Sequence, residues 1–268
     1  MPRSTLSVAI IAFNEEDNLS RTLESVRFAD ETVVVDSGST DRTVEIAKSF
    51  GAKVFVEKWK GFAAQKNSAI DKCVGTWVLS LDADEELTGE LQAEIGAMLD
   101  ADAGMTPPVD GYRLRLRHVF LGRWMRYGGY YPDFKLRLFR RATAAGAAKF
   151  TERAVHESVH VAGRVETMEK DFLHHGYPNL EIYLEHMNRY STLGGQIASE
   201  KGKVSKSWPA FFWNVVFVPK ATFFWNYFVR LGFLDGREGL LLHLYHSAYV
   251  SWKYAKAWRI GRETKRAT

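Results

Sequence analysis

The strongest constraint on the fold is an alternation of short apolar runs and helical patterns over the first hundred residues. Between the runs, apolar residues recur at the spacing of one helix face, as over 16–26 and 61–73. Strands that are joined through helices need right-handed crossovers and lie parallel in a sheet covered on both faces. The pattern predicts an α/β fold whose mainly parallel sheet is sandwiched by helices. The apolar runs are residues 6–13, 31–36, 52–56 and 76–81.

The pattern changes after a loop at 101–109. Residues 112–117 and 135–139 alternate between apolar and basic side chains, which is typical of half-exposed strands with a basic face. From 179 to about 203 the spacing of apolar residues is helical again. We therefore expect an α/β domain over residues 1–165 and a helical C-terminal region over 166–268.

The formal net charge of +4 is unevenly distributed along the chain. Residues 199–268 hold 12 basic and 4 acidic side chains, 12 − 4 = +8, whereas the rest of the chain holds 24 basic and 28 acidic ones, 24 − 28 = −4. The same tail contains 16 of the 36 aromatic residues. Positive charge combined with aromatic side chains predicts a surface that contacts anionic, amphipathic material such as a membrane, and no nucleic-acid partner is expected.

The longest apolar stretch of the tail, 208–229, is interrupted by polar residues and a proline. A spanning helix needs about 20 largely uninterrupted apolar residues. We therefore expect helices that lie in the membrane interface, although a helical subdomain packed on the core would also explain some of these aromatic residues. The interruptions are Asn214, Pro219, Lys220 and Asn226.

Two features indicate the compartment. The apolar run 6–13 meets Asn14-Glu15-Glu16 at once, without the small-residue cleavage site of a signal peptide, so a buried strand is the better interpretation. The single cysteine, Cys73, excludes a disulfide framework and is consistent with a reducing environment. The expected location is the cytoplasm, on the inner face of the cytoplasmic membrane.

Polar side chains stand where three of the four early strands end. In an open parallel sheet, ligands bind beyond the carboxyl ends of the strands. Acidic groups there would repel a diphosphate unless some of them hold the neutral base and ribose and others hold a divalent cation. Carboxylate oxygens are suited to Mg²⁺ or Mn²⁺, whose shell is completed by phosphate oxygens and water. The residues are Asn14 and Glu15 after the first run, Asp36 and Asp41 after the second, and Asp82 and Asp84 after the fourth.

Four motifs in the same order and at the same intervals resemble those of family 2 inverting glycosyltransferases of the GT-A fold. They are SVAIIAFNEE at 7–16, VDSGSTDRT at 35–43, QKN at 65–67 and LDADE at 81–85. Three later segments are similar to the branch of bacterial enzymes that add glucose to the lipopolysaccharide inner core. These segments are FKLRLFRR at 134–141, VHE at 155–157 and GFLDG at 232–236.

The resemblance implies roles for the early polar residues. Asn14, Glu15 and Asp36 would contact the nucleotide, with Asp36 at the uracil or ribose. Asp82 would lie near the ribose and the donor sugar, and Asp84 would bind the metal, which acts as a Lewis acid on the leaving diphosphate.

Three further assignments have a structural alternative. Asp41 would contact the nucleotide, but it could equally cap the helix that it precedes. Lys66 would approach the nucleotide or diphosphate, against the alternative of an ordinary exposed helix lysine. Arg137 and Arg140 could meet phosphate groups of donor or acceptor, against the alternative of a solvated strand face.

An inverting transfer needs one carboxylate that takes the proton of the acceptor hydroxyl. The candidate is Glu157, with His156 or a purely structural role as alternatives. The run 156–160 also spells H-E-x-x-H, a zinc-hydrolase pattern that works only on a helix. The neighbouring valines and Gly163 favour extended chain instead.

The hypothesis from sequence is therefore an enzyme that moves a hexose, with glucose from UDP-glucose favoured, onto a lipid-linked saccharide of the lipopolysaccharide core with the help of Mg²⁺ or Mn²⁺. One alternative acceptor is a polyprenyl phosphate. A distant alternative is a zinc hydrolase that uses His156 and His160.

Overall fold

The computed structural model describes residues 3–102, 108–143, 146–151 and 158–267, with the side chains of 264–267 excepted. The chain forms two compact units. Unit 1 comprises Met1–Arg117 and Asp133–His175, and unit 2 comprises His118–Pro132 and Gly176–Thr268. These bounds differ from the division at residue 165 that we expected, because a long strand occupies Val165–Tyr177 and because 118–132 belong to unit 2. The assignment of a function to each region stays a prediction.

The strands and helices that begin in unit 1 follow the sequence pattern closely. The helices are α1 (Leu19–Ser25), α2 (Thr43–Ser49), α3 (Phe62–Asp71) and α4 (Gly89–Ala101). The longer strands are β1 (Leu6–Ala12), β2 (Glu31–Asp36), β3 (Lys53–Val56), β4 (Trp77–Asp82), β5 (Glu85–Leu87), β6 (Gly111–Phe120), β8 (Asp133–Arg140) and β13 (Val165–Tyr177). The short strands are β7 (Arg123–Trp124), which lies in unit 2, and β9 (Ala142–Thr143), β10 (Gly146–Ala147), β11 (Lys149–Thr151) and β12 (Ser158–His160).

The main sheet has the strand order β3-β2-β1-β4-β8-β6-β13-β5. The strands β3, β2, β1 and β4 are parallel to one another, as their helical connections require. Beyond β4, β8 pairs antiparallel with β4, β6 with β8, and β5 with β13. The α/β class is confirmed, while the sheet is mixed rather than mainly parallel. The reason is that β6 and β8 are not joined through a crossover helix.

β1 lies at the centre of the parallel part and is buried along its whole length. Its alternate side chains enter two different apolar clusters. Val8 and Ile10 belong to a cluster with residues of α1 and α4, and Ala9 and Ile11 belong to one with residues of α3. The continuous apolar run of this strand is therefore explained by burial of both faces.

Two arginines of the expected basic face of β6 form ion pairs within unit 1. The guanidinium groups of Arg115 and Arg117 reach the carboxylate of Asp171 on β13, at 3.1 and 2.5 Å. Arg140 does not have the solvated face that was the alternative for it, and its phosphate contact stays a prediction. Its guanidinium contacts the Asp102 carboxylate, donates to the Val109 carbonyl at 2.9 Å and lies 4.7 Å from the Trp77 ring centroid.

Unit 2 is mainly helical, with α5 (Leu180–Glu200), α6 (Trp208–Phe212), α7 (Val218–Phe224) and α8 (Gly236–Ala267). Wider π-helical turns continue α6 and α7 at Trp213–Phe217 and Trp225–Val229. The Lys256 ammonium on α8 donates to the Asn188 carbonyl on α5 at 2.8 Å, which ties the two long helices together. Within the described residues, no helix combines the length and the apolar character needed to cross a bilayer.

We expect that Gly75→Ala destabilises the protein by roughly 1–3 kcal/mol, the usual range for overpacking. A Cβ atom at Gly75 would lie 2.7 Å from the backbone nitrogen and the hydroxyl of Ser7, and the central strand cannot move aside. The matched change Gly96→Ala on α4 meets nothing within 4 Å and should stabilise the protein by roughly 0.5–1 kcal/mol. Urea unfolding of both variants checks this, and an unchanged midpoint for Gly75→Ala would contradict it.

Candidate active site

The carboxyl ends of three parallel strands meet at one edge of the sheet in unit 1. β1 lies between β2 and β4, and its residues Ala12 and Ile11 pair with Asp36 and Asp82. The polar residues that follow these strands are therefore brought to a common edge, as the parallel order requires.

Asn14 joins the end of β1 to the loop that follows β2. Its backbone has a φ of 54°, in the left-handed region that asparagine tolerates better than most residues. Its side-chain oxygen accepts a hydrogen bond from the Thr40 amide at 2.9 Å, and its own amide donates to the Ser39 hydroxyl at 2.8 Å. Asn14 therefore fixes the position of the loop 37–40 at this edge.

Asp36 organises the same loop from inside. One oxygen of its buried carboxylate accepts hydrogen bonds from the amides of Gly38 and Ser39, both at 2.9 Å, and the other accepts from the Ser39 hydroxyl at 2.5 Å. Both oxygens are engaged by the loop. Direct contact of Asp36 with a nucleotide stays a prediction, while its role in shaping the loop is observed.

Asp41 has the capping role that the sequence left open. Its carboxylate accepts hydrogen bonds from the Thr43 amide at 3.0 Å, at the start of α2, and from the Glu16 amide at 3.1 Å. The Thr43 amide is a donor that the helix itself cannot satisfy, and the bond from Glu16 joins the segment after β1 to the start of α2. A nucleotide contact of Asp41 stays a prediction.

A cluster of four charged groups lies where β4 ends; Lys66, Glu85 and Arg137 are buried, and the Asp82 side chain is one third exposed. The Lys66 ammonium lies 2.8 Å from one oxygen of Asp82, and the Arg137 guanidinium donates to the other at 2.8 Å. Arg137 also donates to Glu85 at 2.5 Å, and the second oxygen of Glu85 accepts from the Asp82 amide at 2.9 Å. Lys66 is 2% exposed, so the alternative of an ordinary exposed helix lysine is wrong. Arg137 is buried too, and its direct phosphate contact stays a prediction.

The cluster shifts the pKa values of its two carboxyl groups in opposite directions. Although burial opposes ionisation, the Lys66 and Arg137 cations hold the pKa of Asp82 well below its usual range. Burial raises the pKa of Glu85, and the proximity of the Asp82 carboxylate adds to this while Arg137 opposes it. Asp82 is consequently a fixed anion, and both of its oxygens already have cationic partners.

Asp84 lies two residues further on and has a different environment. Its Oδ2 lies 3.1 Å from Nε2 of His174 on β13, and its carbonyl accepts a hydrogen bond from the His175 amide at 3.0 Å. Burial alone would lower the pKa of His174, but the Asp84 carboxylate raises it to about 9. The Asp84 carboxylate is therefore held at the edge by an imidazolium.

Glu15 is an acidic residue of this edge whose pKa is raised toward neutrality. Burial raises its pKa to about 7; a hydrogen bond from Asn18 opposes the shift, and the nearby charges of Asp84 and Asp82 add to it. The coupling places Glu15 in the same electrostatic environment as the residues that follow β4. Near neutral pH, about half of the Glu15 carboxyl groups carry a proton.

Asp84 is the residue of this edge best placed to hold a divalent cation. In the described ranges, which omit 103–107, 144–145 and 152–157, no group of three or more His, Cys, Asp or Glu residues could hold a metal ion. A cation bound through one or two carboxylates and substrate phosphates does not require such a group, and this is the usual mode for Mg²⁺. Asp84, whose carboxylate has one cationic neighbour in His174, fits that mode better than Asp82, which is paired with two cations.

The residues of the expected base and of the alternative zinc motif fall only partly within the residues that the structure describes. Glu157 and His156 lie outside the described residues. The remaining part of the H-E-x-x-H run, Ser158–His160, forms β12 and pairs antiparallel with β11. A strand does not place two histidines four residues apart on one helix face, so the zinc-hydrolase interpretation loses the geometry that it needs.

Two residues of the site were not assigned to it from the sequence. Glu85 directly follows the Asp82-Ala83-Asp84 run, but nothing local shows that its side chain turns inward to Arg137. His174 lies ninety residues from Asp84 in sequence, and no local pattern connects the two. The pairing of β13 with β5, in which His174 is opposite Glu85, brings it to the site.

Comparison with known proteins gives consistent matches. A family model described as Glycosyl transferase family 2 matches residues 7–159. The lipopolysaccharide core biosynthesis glycosyltransferase LpsC of Rhizobium meliloti (strain 1021) is 31% identical over 248 residues, which cover 88% of this chain and 83% of that protein. A glycosyltransferase of Rickettsia bellii (strain RML369-C) is 31% identical over 242 residues, covering 88% and 80%.

One solved structure with similar coverage is S. aureus TarS 1–349 in complex with UDP. It has a TM-score of 0.48 and 15% sequence identity, and the match covers 98% of this chain and 92% of that one. The family match and the sheet described above confirm the expected α/β fold of the GT-A type.

We expect that Arg137→Met lowers the free energy of unfolding by about 3 kcal/mol or more, because Glu85 would keep a buried charge without its cation. The raised pKa of Glu85 would rise further. The folded state would then bind a proton more readily than the unfolded state, so the deficit grows as pH rises and shrinks as pH falls. Urea unfolding at several pH values measures this against the wild type.

The double variant Glu85→Gln with Arg137→Met should recover part of the loss, since it removes the unpaired charge. Lys135→Met on the same strand is the control, because Lys135 is an exposed residue paired with Asp133 at 3.0 Å. A pH-independent deficit of equal size in the Arg137→Met and Lys135→Met variants would contradict the buried cluster.

Proposed function

The chain belongs to glycosyl transferase family 2, and on this premise we propose that it transfers a hexose from a UDP-sugar to a lipid-linked saccharide with inversion at the anomeric carbon. The chain is a glycosyltransferase; the donor, the metal and the acceptor are the proposed parts. UDP-glucose is the favoured donor, and a saccharide of the lipopolysaccharide core is the favoured acceptor.

One observation carries the proposal: the loop 37–40 and the Asp82–Asp84 turn lie at the same edge, where β1, β2 and β4 end. The loop is fixed by Asn14 and Asp36, and the turn by Lys66 and Arg137. A preorganised edge of this kind does not have to reorganise when a charged ligand binds, which is how electrostatic catalysis becomes effective.

In this proposal, different residues of the edge bind different parts of the donor. The loop 37–40 and Asn14 bind the uracil and ribose. Asp82, held ionised by its two cations, receives hydroxyl hydrogen bonds from the ribose or the donor sugar. Lys66 and Arg137 offset the charge of Asp82, so that the edge tolerates the diphosphate despite its acidic residues.

The metal site of the proposal is Asp84, with His174 beside it. A divalent cation bound there supplies a Lewis acid that offsets the negative charge of the departing diphosphate. The contact with His174 holds the Asp84 carboxylate at the edge. Glu15 adds a further carboxyl group, whose charge depends on pH near neutrality.

The transfer step in the proposal uses one protein base. Glu157 takes the proton of the acceptor hydroxyl while the hydroxyl oxygen forms a bond to the anomeric carbon. The bond from that carbon to the diphosphate oxygen breaks, and UDP leaves with the electron pair. No covalent enzyme intermediate forms, so the configuration at the anomeric carbon inverts.

Two observations support the proposed acceptor and the proposed location. LpsC, which is similar over most of the chain, is described as a lipopolysaccharide core biosynthesis glycosyltransferase. The excess positive charge and the aromatic residues after 199 favour a peripheral position on the inner face of the cytoplasmic membrane, where a lipid-linked acceptor is presented.

A polyprenyl phosphate is the alternative acceptor, and the product distinguishes the two. Transfer to a core saccharide forms a bond between two sugars, whereas transfer to a polyprenyl phosphate places the sugar on a phosphate, where mild acid releases it. Mass spectrometry of the lipid product before and after mild acid therefore decides between them.

Purified protein with UDP-glucose and Mn²⁺ should release UDP in the presence of a core oligosaccharide. Glu157→Gln should lower kcat by about 100-fold or more without loss of donor binding, because general-base assistance contributes 10²–10⁴-fold. Asp84→Asn should lower the turnover and the Mn²⁺ dependence together.

Glu166→Gln is the control for these variants, since Glu166 is a half-exposed residue whose carboxylate contacts Arg164. It should retain wild-type turnover. Full activity of Glu157→Gln would remove that residue as the base, and activity of the wild type that is unaffected by a chelator would contradict the metal.

Donor affinity should depend on pH through Glu15. Below pH 7 its carboxyl is mainly protonated and neutral, and above pH 7 it is mainly ionised and repels the diphosphate. UDP-glucose, whose diphosphate does not titrate in this range, should therefore bind more weakly as pH rises from 6 to 8. Calorimetry should show that Glu15→Gln has a smaller pH dependence; an unchanged dependence would exclude Glu15 as its source.

A further inference from the structure

A cleft of about 370 Å³ in unit 2 lies between the start of α6 and the last turns of α8. It is lined by the segment Val204, Ser205, Lys206 and Ser207, by Trp208 and Phe211, and by Trp258, Gly261 and Arg262. Its charged lining residues are Lys206 and Arg262, and the lining contains no acidic residue. The cleft therefore combines an aromatic wall with two cations.

The aromatic wall is a continuous set of ring contacts. The rings of Trp208 and Phe211 stack with centroids 5.5 Å apart, and Phe211 meets Trp258 at 4.9 Å. The Arg262 guanidinium lies 4.9 Å from the Trp258 centroid, so this cation is held at the cleft by the ring. Trp208 is nevertheless 75% exposed, which leaves its other face available to a ligand.

The cleft continues into an exposed aromatic face on the segment that follows. Trp213 and Phe217 stack with centroids 4.1 Å apart, and both are about half exposed. Phe224 and Phe228 lie seven and eleven residues beyond Phe217 and are also about half exposed. The rings of Phe224 and Phe228 are also in contact, with centroids 5.2 Å apart. Trp225 adds a further exposed ring.

The backbone of the segment that carries these rings is fastened to α8 by two hydrogen bonds. The hydroxyl of Ser247 donates to the Pro219 carbonyl at 2.9 Å, and that of Ser251 donates to the Val215 carbonyl at 2.8 Å. The backbone of this interrupted helix is thus held from within unit 2, and its aromatic side chains are left outside. Exposed aromatic patches of this extent mark interaction sites in soluble proteins.

The chemistry of this surface favours one kind of partner. A free anion would use the two cations but not the aromatic face. A second copy of the chain would bring together two tails that each carry an excess of +8, which like-charge repulsion opposes. An anionic phospholipid surface matches both features, because its phosphates meet the cations while its interface accepts tryptophan and phenylalanine rings.

We propose that the cleft between Lys206 and Arg262 binds the phosphate headgroup of an anionic phospholipid, while the neighbouring aromatic face enters the membrane interface. This site goes beyond the proposed transfer reaction and does not depend on it. The transfer chemistry is confined to residues of unit 1, so lipid binding can be measured separately from activity.

The test is co-sedimentation of the full chain with vesicles of phosphatidylcholine, with and without phosphatidylglycerol, at one ionic strength. The double variant Lys206→Ala with Arg262→Ala should lose about 30-fold in affinity for the anionic vesicles, which is about 2 kcal/mol at about 1.4 kcal/mol per tenfold. Both side chains are exposed, so the variant should fold, as circular dichroism would show.

A charge-matched control removes two basic residues of unit 2 that do not line the cleft. Lys201→Ala with Arg259→Ala is suitable, because Lys201 is exposed at the end of α5 and Arg259 pairs with Glu263 at 2.9 Å. This control should lose much less affinity than the cleft variant. Equal losses would mean that only net charge attracts the protein, and they would overturn the proposed cleft site.

Three further measurements complete the test. Inorganic phosphate, compared with chloride at equal ionic strength, should not displace the protein from vesicles; displacement would indicate a site for a free anion instead. Trp213→Ser with Trp225→Ser should weaken the binding that remains at high salt. Sedimentation equilibrium without lipid should give a monomer. A dimer that is lost in this tryptophan variant would instead assign the aromatic face to a second copy of the chain.

Discussion

The ion pairs of Asp82 with Lys66 and Arg137 are the interaction on which the candidate site depends. They join the end of β4 to α3 on one side and to β8 on the other, so three elements far apart in sequence converge on one carboxylate. Glu85 is fixed by the same arginine. Buried charges are tolerated only when paired and hydrogen-bonded, and breaking one pair leaves a costly charge behind. Removal of one partner from this cluster would therefore leave a charge without its counter-ion at the edge of the sheet.

Much of the fold could be predicted because its signals are local. The apolar run at 31–36 became β2 with the same bounds, and the carboxyl ends of β1, β2 and β4 lie together as the parallel order implies. The antiparallel half of the sheet was not predicted, since strand order beyond β4 depends on pairing between distant segments. His174 was not assigned to the site for the same reason: its neighbour Asp84 is reached only through the pairing of β13 with β5.

The site residues found from sequence proved to have two kinds of role. Asn14, Asp36 and Asp41 use their side chains to hold the loop 37–40 and the start of α2, so their polar character is explained before any ligand is considered. Glu15 and Asp84 remain the carboxyl groups with ionisation or contacts suited to a ligand. A motif alone does not show whether a side chain forms local hydrogen bonds or binds a ligand, because the same oxygen atoms serve both. Unit 2 adds a cationic and aromatic surface that the family motifs do not include.

A structure of the chain with UDP-glucose and Mn²⁺ tests the central claim most directly. The account predicts the uracil and ribose against the loop 37–40, the metal on the Asp84 carboxylate, and Asp82 still paired with Lys66 and Arg137. A nucleotide bound away from the edge where β1, β2 and β4 end, or a metal held by other residues, would contradict it.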